Sequence, residues 1–354
     1  MSERFGKALE ALTRILAGFA GRRSLGALLG IAVALGVLVR LVAIATIPPS
    51  LHETHYLRDA RAVFAAGSVD ALRGSVHGWL PALGYARILE RWPNAAEREL
   101  RWLQFAFSVL ASVLTWHLAR RATGPRESAT TALVHALTPA TVFYGASAEP
   151  YAAHLLLVTV AMVAYVASVR RPSVLRGMVV VATTAVATLH HLVAAVNVAA
   201  LVGHALLAGR RTSRARVALA LPLLAGVAVA LPMALHGSPG HARHWLGAEI
   251  PYFFSLEVVG SIVVFAALHD EVAEHLEAAW REVLPWCFVV PVLFWLPYAR
   301  LQYLLPGSVP MALVLGTALV RGARPRLVGA VVLFVALNVV SSVSQTLWVF
   351  RGVD

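Results

Sequence analysis

Long apolar stretches alternate with short polar ones along the whole chain, and the apolar stretches are of membrane-spanning length. A spanning helix needs about 20 mainly apolar residues. On this criterion the pattern predicts about eleven spans, centred on 26–47, 102–119, 129–144, 151–169, 174–189, 192–207, 217–235, 252–268, 284–298, 304–320 and 327–350. The sequence therefore predicts an all-α polytopic membrane protein.

The polar segments indicate how the chain is oriented. Arginine clusters follow or precede alternate spans, as in 120–126, 170–176, 210–216 and 321–326, and such clusters mark the cytoplasmic side. Residues 1–25 carry apolar positions at helical spacing beside basic ones, which favours a cytoplasmic amphipathic helix on the membrane surface, with a plain cytoplasmic tail as the alternative. We expect one transmembrane domain over 26–350, without a soluble C-terminal domain.

Composition agrees with a membrane protein and argues against a nucleic-acid-binding function. The chain is 59% hydrophobic and only 14% charged, whereas a soluble domain has about 25% charged residues. Its net charge of +12 is divided among short loops, so no contiguous basic domain exists to bind nucleic acid. The single cysteine, Cys287, cannot form an internal disulfide.

The first predicted non-cytoplasmic loop, residues 48–101, holds the most conspicuous polar stretch, "PPSLHETHYLRDARAVFAAG". Two prolines end the first span, and a new amphipathic helix is expected to start near residues 52–54 and lie along the membrane surface. Glu53 then lies at a helix start. It is either a first-turn acid that stabilises the helix dipole or a general base.

Four motifs in order resemble the GT-C glycosyltransferases, in particular the protein O-mannosyltransferases and aminoarabinose transferases. They are "HETHY" after an arginine in the first span, "HGWLPALGYARILERW", "TGPRESATTALVHALTPATVFYGASAEPYAAHLLL" and "YARLQYLLPGSVPMAL". The resemblance implies a GT-C-type transmembrane bundle that uses a polyprenyl-phosphate sugar as donor. By position Glu53 matches the catalytic carboxylate, while His52 stands where the family's first acid would be.

Such a transfer requires a base for the acceptor hydroxyl and cations for the departing phosphate. Arg300 is the best candidate for the phosphate, since a guanidinium can donate two parallel hydrogen bonds; an interfacial anchor is the alternative. Arg40 lies within the first span, where it could pair with Glu149, reach the phosphate or extend to the interface. Glu149 could orient a sugar hydroxyl or start a helix. The further substrate-binding candidates are Arg58, Arg243, His244, Tyr303, His77 and Tyr56.

No cofactor is expected. His52 and His55 are weak candidates for a divalent metal, because the remaining histidines are scattered over separate loops. We expect a glycosyltransferase of a bacterial inner membrane whose acceptor is a lipid, glycan or protein. Inversion at the sugar's C1 is predicted, because a single base without an evident nucleophile favours direct displacement. Two alternatives stay open: a transporter or flippase of polyprenyl-linked lipids, and a catalytically silent GT-C-like partner subunit.

Overall fold

A computed structural model describes residues 25–46, 50–72, 79–207, 212–237, 256–295 and 305–321. These residues form thirteen α-helices and three short 3₁₀ turns, and the described ranges contain no strand. The α-helices are α1 (Leu25–Thr46), α2 (Leu51–Ala66), α3 (Trp79–Arg91), α4 (Glu97–Ala122), α5 (Pro125–Leu137), α6 (Pro139–Gly145), α7 (Tyr151–Arg170), α8 (Val174–His190), α9 (Ala194–Leu207), α10 (Ser213–Gly237), α11 (Leu256–Val272), α12 (Ala278–Trp295) and α13 (Ser308–Arg321).

The prediction of an all-helical polytopic membrane protein is confirmed. Three helices in the described ranges are long and apolar enough to cross a membrane by length and composition: α4, α7 and the Ser213–Pro232 part of α10. Shorter apolar helices accompany them at Val33–Thr46, Val174–His190, Ala194–Leu207 and Leu305–Arg321. The predicted span at 327–350 and the predicted surface helix at 1–25 lie outside the described residues, apart from the first residue of α1.

The third predicted span, 129–144, is not one helix but two. Thr138 adopts an extended conformation between α5 and α6, because the proline that follows it disfavours helical geometry in the preceding residue. The His135 carbonyl accepts from the Thr138 N–H over 3.3 Å and from the Thr141 hydroxyl over 2.6 Å, since Pro139 has no N–H to donate to it. The chain therefore turns before it reaches the loop that contains Glu149.

The spanning helices pack around one large apolar core, with α8 against α10, α5 against α13 and α1, and α7 against α8 and α4. Helices α2 and α3 pack against each other and form a separate small core with the start of α4. This second core contains Tyr56, Leu57, Tyr85, Leu89 and Leu100, together with Ala148 from the loop between α6 and α7. This core joins the first loop to the loop between α6 and α7 at one end of the bundle.

Candidate active site

The first turn of α2 is fixed by its own sequence. Ser50 caps the helix: its hydroxyl accepts from the Glu53 backbone N–H over 3.1 Å, and its backbone N–H donates to Glu53 Oε2 over 2.7 Å. This reciprocal capping box satisfies two backbone donors at the helix start. Glu53 is thus a first-turn acid, which was one of its two alternatives, and its carboxylate also contacts other elements.

Glu53 forms a buried, bidentate ion pair with Arg101 in the first part of α4. Arg101 Nε donates to Oε1 over 2.8 Å and Nη2 donates to Oε2 over 2.7 Å. The two side chains are 1% and 2% exposed, so water does not screen the pair. Arg101 Nη1 also donates to the Ile44 carbonyl over 3.3 Å, near the end of α1. One guanidinium therefore connects α1, α2 and α4.

The loop between α6 and α7 is bound to the same carboxylate. The backbone N–H of Ala148 donates to Glu53 Oε1, and the Ala148 carbonyl accepts from the Tyr85 hydroxyl of α3. Gln104 supports this contact, because its Nε2 donates to the Tyr85 oxygen over 2.8 Å while its Oε1 accepts from the Ala153 N–H over 3.2 Å. Both backbone polar atoms of Ala148 are consequently held by side chains from other elements.

The protonation state of Tyr85 suits its role as donor. Burial raises the pKa of its hydroxyl, while the hydrogen bond from Gln104 lowers it and the nearby Glu53 and Glu149 carboxylates raise it further. The net direction is upward, so the phenol stays protonated and continues to donate to the Ala148 carbonyl.

Glu149 follows Ala148 directly and lies beside the ion pair. Its Oε1 accepts from the Ser50 hydroxyl over 3.3 Å, and its backbone N–H donates to Ser147 Oγ over 3.1 Å. The side chain is 5% exposed. Ser50, Glu53, Arg101, Ala148 and Glu149 are called the carboxylate cluster below. The cluster brings together two carboxylates that lie 96 positions apart in the chain.

Two other predicted residues of α2 differ in their burial. Tyr56 is buried in the small core that contains Tyr85 and Ala148. Arg58 has a 68% exposed side chain, and its ion-pair contact is with the adjacent Asp59 over 3.6 Å. The structure therefore does not bring Arg58 to Glu53, because its position on α2 directs it to the exposed face of this amphipathic helix.

Arg40 is buried as expected for a spanning segment, but it does not pair with Glu149. Its Nη1 donates to the carbonyls of Gly36 and Ala136 over 2.8 and 2.7 Å, and its Nε donates to Ser108 Oγ over 2.7 Å. The contact with Gly36, one turn earlier in α1, directs the guanidinium away from the Thr46 end of the helix. Both the pairing with Glu149 and the extension to the interface are therefore wrong. Arg40 connects α1 to α4 and α5 instead.

Several predicted residues lie outside the described ranges and stay predictions. They are Arg300, Arg243, His244, Tyr303 and His77, and the side chain of His52 belongs with them. His55 is described and half-buried in α2. Among the described residues, no three His, Cys, Asp or Glu side chains are grouped as ligands of a metal ion would be.

Sequence reasoning missed the residues that hold the two carboxylates in place. Arg101 ends the first predicted loop, beside the acidic residues of "ERELRW", and no local pattern links it to an acid 48 positions earlier. Ser50 did carry a signal, because a serine three residues before a glutamate at a helix start is a capping box. Tyr85 and Gln104 carried none, since their contacts are all long-range.

Comparison with known proteins identifies structures of similar fold. A sequence profile of the family described as dolichyl-phosphate-mannose-protein mannosyltransferase matches residues 76–236. The structure is similar to the crystal structure of ArnT from Cupriavidus metallidurans bound to undecaprenyl phosphate, with a TM-score of 0.62, 17% identity and 84% of this chain covered. The chain has a GT-C-type fold. The apo structure of the same ArnT gives a TM-score of 0.59 at 18% identity, again over 84% of this chain.

The GT-C fold confirms the resemblance found in the sequence. The match covers 61% of the undecaprenyl-phosphate-bound ArnT chain and 60% of the apo chain, so this chain spans about three fifths of the length of those proteins. No curated protein sequence matches the chain significantly. The profile match includes Arg101, Tyr85 and Glu149, while Glu53 precedes it.

Proposed function

We propose that this chain is a membrane glycosyltransferase that transfers a monosaccharide from a polyprenyl-phosphate carrier to a lipid, glycan or protein acceptor. The observation that carries the proposal is the carboxylate cluster. In it, the first loop and the loop between α6 and α7 of a GT-C-type bundle bring two buried carboxylates and one guanidinium together. The fold is shared with an ArnT that binds undecaprenyl phosphate, which supports a polyprenyl-phosphate donor.

The cluster is proposed to face the non-cytoplasmic side of a bacterial inner membrane, with the N-terminus in the cytoplasm. Arg101 and the pair Arg120 and Arg121 lie near opposite ends of α4, about 29 Å apart at 1.5 Å per residue. Arg170 and Arg321 also lie at the helix ends remote from the cluster, where they pair with Glu277 and Glu127. The short loops at that remote end carry Arg120, Arg121, Arg126 and Arg171, and arginines of short loops concentrate on the cytoplasmic side, which supports the proposed orientation. The longer first loop, on the cluster side, carries arginines as well, among them Arg58, Arg87 and Arg98.

The proposed reaction is a direct displacement with inversion at the sugar's C1. A carboxylate of the cluster takes the proton of the acceptor hydroxyl, for which Glu53 is the prediction from the sequence, while cationic side chains stabilise the departing phosphate. Arg300, Arg243, His244 and Tyr303 remain the proposed phosphate-binding residues. A hexosyl and a pentosyl donor are both compatible with this chemistry.

The proposal is tested by reconstituting the full chain in lipid nanodiscs with bacterial membrane extract as the source of acceptor. A panel of undecaprenyl-phosphate hexoses and pentoses is offered as donor, and released undecaprenyl phosphate is measured by mass spectrometry. Release from at least one donor is expected, together with loss of release in Glu53→Gln. Equilibration of an intact donor across a vesicle membrane without release would instead identify a flippase, and neither activity would identify a silent subunit.

A further inference from the structure

We propose that Glu149, rather than Glu53, accepts the proton of the acceptor hydroxyl, and that Glu53 and Arg101 hold the loop that carries it. This assignment rests on the proposed glycosyl transfer. It gives the two carboxylates of the cluster different roles, one as the catalytic residue and the other as a positioning residue. The four hydrogen bonds that Glu53 accepts carry the distinction.

The carboxylate of Glu53 has no capacity left for an acceptor hydroxyl. A carboxylate offers about four lone-pair sites on its two oxygens. Glu53 receives four donors: the Ser50 and Ala148 backbone N–H groups and two nitrogens of Arg101. A substrate hydroxyl would have to displace one of these charge-assisted bonds, and a proton on Glu53 would leave the buried Arg101 charge without its carboxylate.

Glu149 lies next to this saturated group on a backbone that is already ordered. The preceding residue, Ala148, is fixed by Glu53 through its N–H and by Tyr85 through its carbonyl. The Glu149 N–H donates to Ser147 Oγ over 3.1 Å. The Ser50 hydroxyl donates to Glu149 Oε1 over 3.3 Å, which is longer than an ordinary O–H···O hydrogen bond. A network that orients a general base before the substrate binds lowers the entropic cost of reaching the reactive geometry.

The proposed step balances as follows. The acceptor hydroxyl gives its proton to a Glu149 oxygen, and the acceptor oxygen forms a bond to C1 of the sugar. The bond between C1 and the phosphate oxygen breaks, and its electron pair leaves with polyprenyl phosphate. Glu149 becomes a neutral carboxylic acid, which returns its proton to water before the next turnover.

The experiment compares Glu149→Ala with Glu53→Ala in nanodiscs, with and without sodium azide, on the undecaprenyl-phosphate sugar that the wild type uses. Azide is already an anion and needs no base. We expect Glu149→Ala to lose turnover by about 10²-fold or more, and azide to restore release of undecaprenyl phosphate with formation of a glycosyl azide. Glu53→Ala should lose turnover without restoration by azide, because its loop is displaced.

The isosteric variant Glu149→Gln covers the case in which Glu149→Ala does not fold. It should retain the wild-type thermal midpoint and donor KM while its kcat falls. The inference is overturned if either Glu149 variant turns over at a rate close to wild type, or if azide restores Glu53→Ala and not Glu149→Ala. A wild type that releases undecaprenyl phosphate from no donor would contradict the proposed function itself, which is a separate result.

Discussion

At the scale of single residues, the buried ion pair of Glu53 and Arg101 is the interaction on which the stability of the cluster depends. Taking two charges out of water is costly, and the cost is offset only when geometry and additional hydrogen bonds are favourable. Here both conditions hold, because the pair is bidentate and two backbone N–H groups and the Ile44 carbonyl complete it. Each member is therefore expected to depend on the other.

We expect Glu53→Gln and Arg101→Met each to destabilise the protein by about 3–5 kcal/mol, because each leaves one buried charge without its partner. The double variant should cost less than the sum of the single ones. Thermal midpoints of the detergent-solubilised protein check this expectation. Arg58→Met serves as the control, since Arg58 is exposed and should shift the midpoint little. Additive losses would show that the two side chains are not coupled.

A second residue-scale expectation concerns Tyr85. The substitution Tyr85→Phe removes the donor to the Ala148 carbonyl and the acceptor of Gln104, which should cost about 1–3 kcal/mol because buried polar groups lose their partners. Hydrogen exchange of the 146–150 segment should accelerate, since Ala148 loses one of the two side-chain hydrogen bonds to its backbone. Unchanged exchange there would mean that the contacts from Glu53 and Ser50 are sufficient to order the loop.

The sequence was sufficient to single out Glu53 and Glu149, because isolated acids beside long apolar spans are conspicuous. It was not sufficient to place Arg40, whose burial was foreseen but whose partners are carbonyls and a serine on α4 and α5. Nor did it reveal Arg101 as a partner of Glu53. Both failures have the same physical cause, since helix packing brings together residues that no local pattern connects.

At the scale of elements, the helices follow the apolar pattern, and the differences arise at their ends. Helix α4 begins at Glu97 rather than at Trp102, because the charged segment "ERELR" is helical although it is too polar for a span, and its first turn carries Glu97 and Glu99. Pro139 divided the third predicted span, and that signal was visible in the sequence. The packing of the helices was not predictable, because in the sequence a glycine that permits close approach of two helices cannot be distinguished from one that faces open space.

Gly316 of α13 offers a test of such a close approach. A Cβ atom at this position would lie 2.6 Å from the backbone N and Cα of Thr131 in α5. We expect Gly316→Val to cost about 1–3 kcal/mol or more, since backbone atoms cannot move aside as a flexible side chain can. Gly30→Val in α1 is the matched control, because nothing lies within 4 Å of a Cβ there. Equal thermal midpoints for the two variants would contradict the packing of α5 against α13.

At the scale of the whole molecule, the helix ends that carry Arg120, Arg121, Arg170 and Arg321 should lie on the opposite side of the membrane from the carboxylate cluster. We expect that, in a Cys287→Ala background, Asp70→Cys reacts with a membrane-impermeant maleimide in intact spheroplasts. Arg171→Cys should react only after permeabilisation. Both positions are exposed, and Cys287 is buried, so background labelling should be low. The reverse pattern would invert the orientation and place the cluster in the cytoplasm.

The carboxylate cluster also constrains the order in which the protein can be assembled. Its members are residues 50, 53, 101, 148 and 149, and Arg101 also contacts the Ile44 carbonyl, so these parts leave the ribosome at well-separated times. Glu53 is made before its ion-pair partner, which follows only with α4. Its last donor, Ala148, follows only after α5 and α6. The cluster is therefore completed late in biosynthesis, and a chain that stops before α6 would contain Glu53 and Arg101 without the loop that carries Ala148 and Glu149.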